Sequence, residues 1–118
     1  IRAIRLPRTT AGWQQHSRKV GTRKAQAISK VCFAGMALLE ADVLKEIRLA
    51  YGSAAPVPLR AVQTETALRG RALDATTINE VCERLVAELK PIDDIRSTAA
   101  YRSQVASNLL QEFLSQLR

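Results

Sequence analysis

The densest chemistry in the sequence is cationic. Arg18-Lys19-Val20-Gly21-Thr22-Arg23-Lys24 places four cations in seven residues around one glycine. A lysine beside a glycine bend, near outward-turned backbone N–H groups, suits a phosphate or the electron-rich edge of a cofactor. The same run suits a nucleic-acid arm, because cations on a chain release counterions from phosphates, and Trp13 and His16 would add stacking. A solvated basic loop is the third reading. Composition leaves all three open, although aromatic residues make up only 4% of the chain and no nucleic-acid-binding motif is present.

Other chemistry is scarce. One histidine and two distant cysteines do not make a zinc site of the usual spacing, and an iron–sulfur cluster needs four clustered cysteines. There is no phosphate-binding P-loop and no GxGxxG. His16 lies in a polar stretch that suggests no nucleophile or orienting carboxylate beside it. The chain is too poor in reactive groups to be a complete enzyme by itself. Cys32 and Cys82 both sit in apolar surroundings and read as two buried free thiols in a reducing cytosol rather than a disulfide.

The 118 residues carry a net charge of +7. Residues 1–30 hold eight Lys and Arg and no carboxylate, whereas residues 31–118 hold ten cations against eleven anions, so the whole excess lies in the first quarter. The length suits one domain, and 47% apolar residues argue against wholesale disorder. No apolar run is long enough to span a membrane. The start lacks the apolar core of a secretory leader and an initiator Met, so the chain reads as a piece of a longer one.

Elements must position these residues. Ile1–Leu6, stopped by Pro7, reads as a short basic strand, the last of a preceding domain, with a linker to residue 12. Trp13–Thr22 reads as extended, bending at Gly21-Thr22. Residues 28–39 (ISKVCFAGMALL) are apolar on both alternating faces. A strand buried on both sides fits Val31, Cys32, Phe33 and Gly35, with a helix as the competing reading. Val43–Ser53 alternates, with Ile47, Leu49 and Tyr51 on one side. A hairpin turning near residues 40–42 follows, and Pro56 and Pro58 end the sheet. Three helices come next: about 59–68 closed by Gly70, one starting at Asp74 or Thr77, and one from about Thr98 with Ser97 as its cap. Ile78, Val81, Cys82, Leu85, Val86 and Leu89 make the second helix amphipathic; Tyr101, Val105, Leu109, Leu110, Phe113, Leu114 and Leu117 form one face of the third. Strands before helices predict an α+β sandwich, an antiparallel sheet of about three strands with three helices on one face. Sheet would occupy 13–58 and helices 59–118. The second apolar face of residues 31–39 then needs a cover, so a neighbouring domain or subunit is expected.

Several fragments carry a resemblance. Arg18-Lys19-Val20-Gly21-Thr22-Arg23 followed by Ala27-Ile28-Ser29-Lys30-Val31 resembles the start of the C-terminal domain of the FAD-binding subunit of molybdenum hydroxylases, the family of xanthine dehydrogenase, aldehyde oxidase and carbon monoxide dehydrogenase flavoproteins. Leu49 to Ala61 is similar to its strand ending in a Gly/Ala/Pro stretch and an Arg. Glu65 to Gly70 resembles its E-x-x-L-x-G helix, and Asp94 to Arg102 its D-x-R-x-S/T-x-x-Y-R signature. The resemblance runs in order from Ile1 to Leu117, and the Ile-x-Lys-Val element looks most like xanthine dehydrogenases.

That resemblance implies a cytoplasmic oxidoreductase in which electrons pass from a molybdenum centre through two [2Fe–2S] clusters to FAD, then to NAD or another acceptor. The molybdenum cofactor and the clusters would belong to partner subunits or domains, and most FAD contacts to the preceding FAD domain of the same subunit. The isolated chain should be inactive and should not hold FAD tightly. A lysine about eleven residues before the Lys-Val of Ile-x-Lys-Val contacts FAD in xanthine dehydrogenases, which points to Lys19. A fixed ammonium there would favour electron-rich flavin by Coulomb attraction; pairing with a carboxylate of the missing domain is its other reading. Where eukaryotic relatives have acidic residues in the following loop, this sequence has Lys24, Ala25, Gln26 and Ala27. Tyr101 reads as the start of the packed helix face. Arg102 reads as a donor to backbone carbonyls or to Asp93 or Asp94, and Arg60 likewise. Neither nucleic acid nor membrane is an expected partner, with a small basic nucleic-acid-binding module kept as the alternative.

Overall fold

Strand period, a two-residue turn and well-capped helices build the fold in the order the chain runs. The computed structural model describes residues 1–5, 11–23 and 27–117. Strands β1 (Trp13–Gly21), β2 (Ser29–Glu40), β3 (Val43–Gly52) and β4 (Leu59–Arg60) form one antiparallel sheet in sequential order. Helices α1 (Val62–Leu68), α2 (Ala75–Glu88) and α3 (Ala99–Gln116) follow. The α+β arrangement is the expected one. The sheet, however, has four strands, because Leu59 and Arg60 pair with Tyr51 and Ala50 before the first helix begins at Val62. The two prolines therefore interrupt the sheet without ending it, and it runs to residue 60.

Residues 1–5 form no strand and lie exposed. Leu6, the end of the expected first strand, is outside the described residues, as are the loop residues Lys24, Ala25 and Gln26. Residues 28–39 are strand rather than helix. The hairpin turns on Ala41 and Asp42, whose φ values of 50° and 63° supply the pair of left-handed residues that a two-residue loop between twisted strands requires.

Alternation in β2 puts Val31, Phe33, Gly35 and Ala37 against the helices. Ile47, Leu49 and Tyr51 of β3 lie on the same side, opposite Ala37, Gly35 and Phe33. A bulge between Leu38 and Leu39 shifts the register, so Leu44 joins this buried side although it stands three residues from Ile47. Gly35 is set by packing. A Cβ there would come within 2.7 Å of the Phe33 and Phe113 rings, which fill the space a side chain would take.

Asp74 caps α2 by accepting from Thr77 N–H at 2.7 Å, which decides between the two expected starts. Thr98, not Ser97, caps α3, its hydroxyl oxygen accepting from Tyr101 N–H. The α2 face buries Ile78, Val81, Leu85 and Leu89, but Val86 is exposed. On α3 the buried stripe begins at Arg102 and Ala106 rather than Tyr101 and Val105, then continues through Leu109, Leu110, Phe113, Leu114 and Leu117.

Candidate functional site: cations sorted by the sheet

The basic run does not form one patch, because a strand's side chains point alternately to opposite faces. Arg18 lies on the helix side, opposite Phe33, with its guanidinium 3.9 Å from Glu112 of α3. Lys19 lies on the other side, opposite Cys32, where it is exposed and makes no ion pair among the described residues. Arg23 stands beyond the strand. His16 is on the helix side too, with its ring against Phe33 and Phe113 and Nε2 at 3.9 Å from Glu112. It is packing, with no nucleophile beside it. A nucleic-acid arm would need these cations on one surface, and the sheet divides them.

The end of the sheet that carries Lys19 is clamped by Arg102. This guanidinium is 3% exposed and donates to the carbonyls of Lys30 at 2.9 Å and Ser53 at 2.7 Å and to Asp94 Oδ1 at 2.8 Å. One side chain thus ties α3 to the start of β2 and the end of β3. Asp94 Oδ1 also accepts from the N–H groups of Arg96 and Ser97. These bonds, the Arg96 N–H first, hold the Asp94 carboxyl below the usual carboxylate range against a smaller opposing effect of burial. The expected partners of Arg102 are therefore present. Tyr101 differs: its ring is 43% exposed and lies under the Lys30 ammonium at 5.0 Å instead of starting the packed face.

Arg60 also differs from expectation. It pairs with Glu65, through Nε at 2.9 Å and Nη2 at 2.8 Å, rather than with carbonyls or with Asp93 or Asp94. Glu65 is fully buried on α1 and accepts from Leu49 N–H at 2.8 Å. It satisfies a strand N–H where β4 has ended and ties the first helix to the sheet. Sequence reasoning gave Glu65 no role, although it opens the E-x-x-L-x-G fragment. Cys32 and Cys82 are free, as expected, but half-buried rather than buried. Burial raises the Cys82 thiol pKa above its ordinary value, partly offset by its bond to the Ser107 carbonyl. Among the described residues no group of His, Cys, Asp and Glu could hold a metal ion, and no helix is long and apolar enough to cross a membrane.

A four-stranded antiparallel sheet with helices on one face and the other face left open makes this an α+β sandwich domain. The family model described as CO dehydrogenase flavoprotein C-terminal domain matches residues 16–117, and the chain belongs to that family. It is 26% identical over 98 residues to the xanthine dehydrogenase FAD-binding subunit of Escherichia coli O157:H7, a match covering 83% of this chain and 34% of that protein. It is 27% identical over 71 residues to the glyceraldehyde dehydrogenase medium chain of Sulfolobus acidocaldarius, covering 60% and 25%. A chain of the carbon monoxide dehydrogenase from Hydrogenophaga pseudoflava that lacks the Mo-pyranopterin moiety superposes with a TM-score of 0.79 and 25% identity, over 86% of this chain and 35% of that one. The matches thus cover between about a quarter and a third of the length of these relatives. None of them is described as a nucleic-acid-binding protein.

Proposed function

We propose that this chain is the C-terminal domain of the FAD-binding subunit of a xanthine-dehydrogenase-type molybdenum hydroxylase, and that it forms one wall of the flavin site through Lys19. The observation that carries the reading is the family match over residues 16–117, with the exposed Lys19 ammonium standing on the sheet face that no helix covers. An unpaired, outward cation fits a group that arrives from outside the domain with developing negative charge. The chain has no glycine-rich pyrophosphate cradle. It therefore fits FAD as a partial contact completed by the preceding FAD domain.

FAD supplies two-electron redox chemistry when bound. This chain's part would be electrostatic: Lys19 would hold a positive charge beside bound FAD and so favour electron uptake, more strongly where the preceding domain excludes water. Arg102 positions that end of the sheet by holding the Lys30 and Ser53 carbonyls. Electrons would arrive from iron–sulfur and molybdenum subunits and leave to NAD or another acceptor. The free thiols fit a cytoplasmic setting.

Lys19→Ala in the full-length subunit should weaken FAD retention or slow flavin reduction, read from flavin content after gel filtration and from stopped-flow absorbance. Both unchanged would remove Lys19 from the site. The isolated chain should bind no stoichiometric FAD; tight binding would overturn the view that the cofactor is held mostly elsewhere.

A further inference from the structure

One face of β1 carries Lys19; the opposite face carries a titratable group that the flavin reading does not use. His16 stands opposite Gly35, on the helix side of the sheet. The space that Gly35 leaves without a side chain is taken up by the Phe33 and Phe113 rings. The imidazole centroid lies 6.2 Å from each of them, and its plane is turned by only 16° from that of Phe113. His16 Nε2 is buried among these groups and has no hydrogen-bond partner. Buried polar atoms are nearly always paired, so an idle one needs a reason.

A carboxylate faces it. Glu112 Oε1 of α3 is 3.9 Å from His16 Nε2 and 3.9 Å from Arg18 Nη1. Both separations are ion-pair distances and too long for hydrogen bonds. Of the elements packed here, β1 contributes the Arg18 cation, α3 the Glu112 carboxylate, and β2 the uncharged Phe33 and Gly35. Lys19 points to the other face. A neutral imidazole donates through one ring nitrogen, whereas an imidazolium donates through both and is positively charged. Protonation therefore guarantees an N–H on Nε2 and adds a charge opposite Glu112. A small rotation of either side chain then closes the gap to a charge-assisted hydrogen bond. Histidine is the side chain whose charge ordinarily changes near neutral pH.

We infer that His16 and Glu112 form a pH-operated latch that pins the edge strand β1 to α3 when the imidazole is protonated. The hold is present on the acid side and is lost as pH rises through the imidazole titration. Above that, Glu112 holds β1 only through Arg18, at 3.9 Å. Side chains of a strand alternate, so fixing the backbone at His16 and Arg18 also fixes the direction of Lys19 on the other face. Glu112 is then a positioning residue that acts through β1, and pH sets how firmly Lys19 is presented. That consequence rests on the flavin reading above; the latch itself does not.

Hydrogen–deuterium exchange of the full-length subunit tests it, read by peptide mass spectrometry at about pH 8 and about pH 5.5 and corrected for the intrinsic exchange rate. Asp74 and Asp94, held below the ordinary carboxylate range, stay ionised over that window. Wild-type β1 peptides should gain about fivefold protection at the lower pH. Glu112→Gln and His16→Gln should each abolish the gain, whereas Arg18→Gln, which leaves the His16–Glu112 pair in place, should keep it. Protection of β1 that is the same at both pH values would overturn the latch, as would a gain that survives in Glu112→Gln or His16→Gln. Flavin content after gel filtration, measured over the same range, reads the consequence: higher at the lower pH in wild type, independent of pH in Glu112→Gln. A pH-dependent β1 with flavin retention indifferent to pH would support the latch and count against Lys19 as the flavin contact.

Discussion

Arg102→Ala should be among the most damaging single changes in this domain. The side chain is 3% exposed and donates to two carbonyls and one carboxylate. Removal takes their donor from the part-buried Lys30 and Ser53 carbonyls, at a cost of about 1–3 kcal/mol for each group left unpaired. It also removes the cation beside Asp94. Asp94 is exposed and keeps its two backbone donors, so losing the pair adds little. The contributions overlap, so the total should be about 3–5 kcal/mol. That is a large share of the roughly 5–15 kcal/mol by which a domain is stable. Urea unfolding followed by far-UV circular dichroism would read it as a lower midpoint at an unchanged slope. Arg102→Lys keeps the charge but cannot span three acceptors, and should fall between wild type and alanine. A loss below about 1 kcal/mol for Arg102→Ala would refute the reasoning, because the two carbonyls and Asp94 would then lose nothing with their shared donor.

Two further outcomes follow from the packing and the caps. Gly35→Ala should destabilise by about 1–2 kcal/mol in the same assay. Overpacking against Phe33 and Phe113 costs roughly 1–3 kcal/mol and outweighs the 0.5–1 kcal/mol or so of backbone entropy that alanine saves. Pairing it with Phe113→Leu should recover part of the loss, and strict additivity would sink the steric account. Acid should loosen the α2 start and the 94–97 turn first. Asp74 and Asp94 both titrate below their ordinary range, chiefly through backbone N–H bonds from Thr77 and Arg96. Their stabilisation is therefore complete above about pH 4, the unfolded carboxylate value, and disappears as pH falls through the lower folded values. Asp74→Asn with Asp94→Asn should flatten that acid limb of a stability–pH curve, and an unaltered limb would count against it.

The sequence by itself determined the order of strands and helices and the donor role of Arg102, narrowed the α2 cap to Asp74 or Thr77, and favoured a two-faced apolar strand over a helix at 28–39. Each is written in local period or spacing: alternation in 31–39, a capping residue ahead of an apolar helix face, and an Arg eight residues after an Asp whose loop returns to it. Tertiary structure decided what lies beyond that reach. The bulge at Leu38–Leu39 recruits Leu44 to the core against the strict alternation of β3. Glu65 looks like a surface residue of a short helix, yet it is buried because a β3 N–H sixteen residues away needs an acceptor. Arg102 rather than Tyr101 is buried at the head of α3, because the sheet end offers two carbonyls that the guanidinium satisfies. Lys19 and Arg18 are neighbours in sequence with the same charge. Only the sheet, with helices on one side and none of the described elements on the other, gives one of them Glu112 and leaves the other facing outward.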